Sequence, residues 1–128
     1  MTMVAFYSKG TSIEVQNVWS KRLKFYYPSL KLVPLLSEEA KFATVALLWK
    51  APLNYLNKMT RIKGLISLGQ GVDHILNGNL IPENVPVVRI VDPYMAKSMS
   101  HWVLLSILNI IRETYGYFSQ ENTKIYKP

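Results

Sequence analysis

The chain has 128 residues, 49% apolar and 18% charged, which is the size and composition of one folded domain and excludes an intrinsically disordered chain. It contains no cysteine, so a disulfide framework, a thiolate zinc site and a cysteine nucleophile are all excluded. Its formal charge of +7 biases the surface towards anions, whether nucleic acid, acidic lipid or a small carboxylate or phosphate metabolite.

Residues 1–10 lack the charged start and apolar stretch of a signal peptide, and the longest apolar run, residues 103–111, is too short to span a bilayer. A soluble cytoplasmic protein with no membrane partner is therefore expected. The 15 Lys and Arg residues are scattered, and the only cluster, Lys21-Arg22-Leu23-Lys24, falls on a solvated helix face rather than a nucleic-acid stripe.

Short, β-rich apolar runs recur at residues 3–7, 30–36, 44–49, 65–68 and 85–91. Runs of this length without strict alternation suit strands buried on both faces of a parallel sheet. Between the first two, residues 12–26 carry Val15, Val18, Trp19, Leu23 and Tyr26 at helical spacing, with Thr11 or Ser12 as N-cap and Pro28 beyond the end. After the third run, Pro52 sits as a first-turn proline before a short helix marked by Leu53, Leu56 and Met59.

The crossover from Gly69 to Pro86 has room for only a turn or two of helix near residues 73–76 before Asn77-Gly78-Asn79 breaks it. From Pro93 or Tyr94 to about Phe118 the pattern reads as one long helix, since no proline follows Pro93 and no glycine precedes Gly116. Val103, Leu104, Leu105, Ile107, Leu108, Ile110 and Ile111 go most of the way round it. Such a helix must be covered on all sides, by a second copy of the chain, another domain, or both. The polar stretch 119–128 reads as a linker.

This alternation predicts a doubly wound α/β fold, with ligands at the carboxyl ends of the strands, in the loops after Tyr7, Trp49 and Leu68. The third of these is the most informative. There a buried strand, Leu65-Ile66-Ser67-Leu68, enters Gly69-Gln70-Gly71-Val72, whose glycines permit a sharp turn and leave the amides of Gln70, Gly71 and Val72 uncovered near a helix start. A dinucleotide-binding turn would need a third Gly or Ala where His74 stands and a full crossover helix, with Asp92 as a ribose ligand. A carboxylate-binding loop needs only the two glycines. The spacing alone fits such a loop and a plain tight turn equally.

The run Leu68-Gly69-Gln70-Gly71-Val72-Asp73-His74-Ile75-Leu76 resembles the glycine loop of the D-isomer-specific 2-hydroxyacid dehydrogenases. Phe6-Tyr7, Ala46-Leu47-Leu48-Trp49-Lys50-Ala51-Pro52, Val85-Pro86-Val87-Val88-Arg89 and Val91-Asp92-Pro93-Tyr94-Met95, with Ile110-Ile111-Arg112 further on, resemble the glyoxylate/hydroxypyruvate reductase A branch. The resemblance covers essentially the whole chain, in order. It implies a flavodoxin-like, doubly wound parallel five-stranded substrate domain over residues 1–93, a long interdomain or dimerisation helix over 94–120, and a linker over 121–128. It further implies carboxylate binding by the loop of Gly69, Gln70, Gly71 and Val72, above all through the amides of Gln70 and Gly71, a pocket wall from Trp49, and an approach by Met95. A small 2-oxo acid substrate, a homodimer, and NADPH or NADH in the parent protein follow in the same way.

In that family a Rossmann domain follows and supplies the arginine, glutamate and histidine of hydride transfer. Those residues are expected beyond Pro128, so no catalytic residue and no bound cofactor are expected here. Ser100-His101 stands where the family carries an Ala-Glu-like or Gln-Glu-like pair, so His101 is not the catalytic histidine. His74 and His101 lack carboxylates at ligand spacing, so no metal site is expected. Asp73 reads as a cap of the short helix, and Lys50 and Arg89 as sources of positive potential near the loop. The alternative function is a stand-alone flavodoxin-like or receiver-like binding module without activity. Against it, Tyr7-Ser8-Lys9 is no acidic cluster, and Ser8-Lys9-Gly10-Thr11-Ser12 only faintly imitates a flavin phosphate loop.

Overall fold

The computed structural model describes residues 2–77 and 80–124, with Asn122 described by its backbone alone. The chain divides into two compact units, Met1–Val91 and Asp92–Pro128. The first is built on a five-stranded, all-parallel sheet of β1 (Thr2–Ser8), β2 (Leu30–Pro34), β3 (Val45–Trp49), β4 (Gly64–Ser67) and β5 (Val87–Val88) in the order β2-β1-β3-β4-β5. This is the expected doubly wound α/β sheet, with its order reversing between β1 and β3.

Right-handed crossovers then fix which segment covers which face. The β1-to-β2 step sends α1 (Ile13–Tyr26) to one face. The later steps run the other way, so the 3-10 segments Glu38–Phe42 and Leu53–Lys58 and the short α2 (Asp73–Leu76) cover the opposite face. On that second face Ala5, Val33, Ala46, Leu48 and Leu65 pack with Ala40, Leu56, Met59 and Ile75 in one buried cluster. Their alternates Val4, Phe6 and Leu47 form the core on the α1 face, helped by Leu23 and by a Phe6–Trp19 ring contact at 5.8 Å.

The sheet is less evenly covered than continuous apolar strands suggest. Beyond α1, the face bearing Val45, Ile66 and Leu68 is only partly buried, and a groove of about 300 Å³ opens between Val4, Leu23, Leu30, Val45, Leu47 and Ile66. β5 is also shorter than the apolar run 85–91. Pro86 has no N–H to give the ladder, and β4 ends at Ser67; past β5, among the described residues, the backbone is linked on by Ile90 N to Gly69 O at 3.3 Å. The helix after Pro52 is a 3-10 segment, with Pro52 outside its start in extended conformation.

Ser12 precedes α1 as expected, but its hydroxyl makes no capping bond to the backbone. It bonds the Glu14 side chain instead, which together with Glu14's own backbone holds that carboxyl below the usual glutamate range. Asp73 does not cap α2: it is the first residue of that helix, and Val72 stands at the cap without a side-chain bond. Helix α2 ends at Leu76 with Asn77 at its C-cap, and the rest of the break expected at Asn77-Gly78-Asn79 lies outside the described residues.

In the second unit α3 (Pro93–Ile111) starts where expected, with Pro93 in its first turn and the Asp92 carboxylate accepting the Tyr94 amide at 2.9 Å. The helix does not continue to Phe118. The Glu113 amide turns to Ile110 O, one residue short of the helical partner, and Glu113 adopts a left-handed φ of 49°. A separate α4 (Thr114–Thr123) follows, reaching into the stretch expected to be a linker. Neither glycine nor proline marks this break. No residue of α3 is buried. Among the described residues no helix is long and apolar enough to cross a membrane.

Candidate functional site

The loops singled out from the topology meet at the carboxyl edge of the sheet, where the strands end. Leu68 N donates to Leu48 O at 3.0 Å, extending the β3–β4 alignment past the last strand residue. Lys9 N donates to Trp49 O at 3.0 Å, tying the loop after β1 to the end of β3. Trp49 and the stretch from Gly69 to Val72 are thereby neighbours, as the sequence reading required.

The reason for the glycines differs from the one read in the sequence. Neither Gly69 nor Gly71 has a positive φ; among the described glycines only Gly10 does. Gly69 is needed for close approach instead. A Cβ on Gly69 would lie 2.5 Å from Cζ3 of Trp49, so the indole lies directly against the glycine. A Cβ on Gly71 would lie 2.9 Å from an oxygen of Asp73, whose carboxylate folds back over the loop rather than capping α2. Since α2 has four residues, few peptide dipoles add up along it, and the helix dipole expected to assist an anion here is weak.

His74 packs against Trp49, with ring centroids 4.7 Å apart in an edge contact, and its Nε2 lies 3.4 Å from Leu48 O. This is a positioning contact and not a ligand cluster. Among the described residues no three His, Cys, Asp or Glu side chains are grouped to hold a metal ion. His101 is exposed on α3.

Both suspected cations reach this edge. Lys50 follows Trp49 with a left-handed φ of 48°, and its ammonium lies 5.7 Å from the indole centroid, within cation–π range. Arg89, past the short β5 rather than within it, is exposed and donates from Nη1 to Gln70 O at 3.4 Å. Met95 lies on the first turn of α3, in the second unit, and is exposed.

The sequence reading missed Ser67. Its side chain is completely buried at the end of β4, where Oγ accepts from the Gly69 amide at 3.2 Å and donates to Gly71 O at 2.7 Å. The available signal was a lone hydroxyl in an otherwise apolar buried strand immediately before the glycines. A crevice of about 260 Å³ beside Leu35, Tyr55 and Met59 and the groove on the α1 face share no lining residue with this loop.

No family model matches the chain. It is 29% identical over 115 residues to a glyoxylate/hydroxypyruvate reductase A of Yersinia enterocolitica, an alignment covering 86% of this chain and 37% of that protein. Its fold superposes on a probable 2-hydroxyacid dehydrogenase of Rhizobium etli, solved with NADP, HEPES and L(+)-tartaric acid, with a TM-score of 0.77 and 27% identity. That match covers 99% of this chain and 40% of the other. In sequence and in fold, this chain is similar to the D-isomer specific 2-hydroxyacid dehydrogenases. An NADPH-dependent glyoxylate/hydroxypyruvate reductase of Sinorhizobium meliloti, solved with NADP and sulfate, is likewise similar, with a TM-score of 0.74 and 25% identity over all of this chain and 40% of its own. The chain thus spans less than half the length of each of these dehydrogenases.

Proposed function

We propose that this chain provides the carboxylate-binding part of an NAD(P)H-dependent reductase that converts glyoxylate- or hydroxypyruvate-like 2-oxo acids to D-2-hydroxy acids. The observation that carries this reading is the loop after β4. Among the described residues the amides of Gly71 and Val72 donate to no protein acceptor, beside an indole packed on Gly69 and two cationic side chains. Uncommitted amides next to positive charge suit a carboxylate. In this reading the amides of Gln70, Gly71 and Val72 face the carboxylate and Trp49 walls the pocket. The Gly69 amide is committed to Ser67 and contributes shape alone. Met95 is assigned to the pocket by the family resemblance alone. Tartaric acid and sulfate in the two solved relatives are small anions of the kind such a loop would take.

The residues present do not fit a dinucleotide. Trp49 lies against Gly69, His74 stands in place of a third glycine, and the turn runs into a single helical turn where a pyrophosphate site needs a full helix. When bound in a full-length relative, the nicotinamide supplies the hydride. This chain's own residues bind and orient the acid, and none is assigned a catalytic role.

The reading extends to residues 1–93 as a substrate domain and 94–120 as an interdomain segment that pairs two copies. What supports the pairing is the exposure of Val103, Leu104, Leu105, Ile107, Leu108, Ile110 and Ile111 together. Calorimetric titration with glyoxylate or oxamate, combined with amide shifts, tests the binding claim. Heat and shifts at residues 69–73 are expected, and their joint absence sinks it.

A further inference from the structure

Ser67 is fully buried in a strand whose other residues are Gly64, Leu65 and Ile66. A buried hydroxyl is tolerated when its hydrogen bonds are made, and this one makes two, both to the loop that follows. Alanine would suit the apolar strand better, so the hydroxyl's use lies in the loop.

Three successive carbonyls of that loop are held: Gly69 O accepts from Ile90 N at 3.3 Å, Gln70 O from Arg89 at 3.4 Å, and Gly71 O from Ser67 Oγ at 2.7 Å. In a planar trans peptide the N–H points opposite to the carbonyl before it. The amides of Gln70, Gly71 and Val72 are therefore directed away from these three anchors. The Ser67 bond is the shortest, and Ser67 is completely buried whereas Arg89 is exposed, so competing water weakens the arginine contact far more.

We infer that Ser67 is a positioning residue for anion binding: its hydroxyl holds Gly71 O inward and Gly69 N in place, and so turns the Val72 amide outward to the ligand. This inference rests on the carboxylate-binding reading of the loop.

The test uses the 128-residue chain with oxamate as probe, followed by amide shifts on the signals of the folded protein. Measured that way, a loss of global stability alone leaves the dissociation constant unchanged. Ser67→Ala is expected to raise that constant about tenfold, with the Val72 amide shift reduced most. Ser67→Cys keeps a side chain of similar size with a much weaker donor and acceptor, and is expected to fall in between. It carries the comparison if the alanine variant does not fold. In the unsubstituted chain the Gly69 amide should exchange slowly with solvent, and rapid exchange there overturns the inference. Equal oxamate affinity in the unsubstituted chain and the variants overturns the role of Ser67 and leaves the binding reading standing. No oxamate binding by the unsubstituted chain overturns both.

Discussion

The two units handle apolar sequence in opposite ways. In the first, strand residues alternate between two faces, and Ala5, Val33, Leu48, Leu65 and Ile75 disappear into a core closed by short helical segments. In the second, α3 carries apolar residues nearly all round, and none is buried. A sheet face offers one surface that a few turns of chain can cover, whereas a helix apolar on every side presents more than one neighbour can hide. The sheet unit therefore draws stability from itself, whereas α3 leaves its apolar surface exposed, which is the surface the proposed pairing would cover.

The largest expected effect attacks that self-sufficiency. Leu48→Ala, in a central strand with no exposed surface, should destabilise the sheet unit by about 2–5 kcal/mol in urea unfolding. A change near zero would mean that the core does not govern its stability. Gly69→Ala comes next, since its Cβ would meet the Trp49 ring and force the indole aside. A loss of about 1–3 kcal/mol is expected, with altered tryptophan fluorescence and impaired oxamate binding. Unaltered fluorescence would contradict the packing of Trp49 on Gly69.

On α3 the contrast sharpens. Leu104→Gln, at a half-exposed position, should change urea stability of the sheet unit by no more than about 0.5 kcal/mol, yet shift sedimentation towards monomer. An unchanged sedimentation profile would argue against pairing through this helix. The smallest effect concerns Glu14, whose folded-state value is lowered by the Ser12 hydroxyl and its own backbone. Its contribution is present above the unfolded value and fades as pH falls through the lowered one. Glu14→Gln should slightly flatten the acid side of the stability profile, and an NMR titration of Glu14 at its ordinary midpoint would refute the assigned cause.

Much of this was legible in the sequence because it depends on local pattern. Five short apolar runs separated by helix signals specify a parallel α/β sheet, and Gly69-Gln70-Gly71 beside Trp49 marked the candidate loop. The shortness of β5 was half visible in Pro86, although only the pairing with a four-residue β4 makes the proline decisive. The break at Arg112-Glu113 carried no glycine or proline to announce it, and Ser67 read simply as one residue of a buried strand.

What the sequence determined by itself is therefore the number and kind of elements and the stretch where chemistry belongs, since periodicity and glycine spacing are properties of neighbouring residues. Tertiary structure alone decided why Gly69 is there. Trp49 lies on it, and this approach is set by β3 and β4, which meet only after folding. It also decided which carbonyls the loop hides, because Arg89 and Ile90 reach it from beyond β5 while Ser67 reaches it from the end of β4.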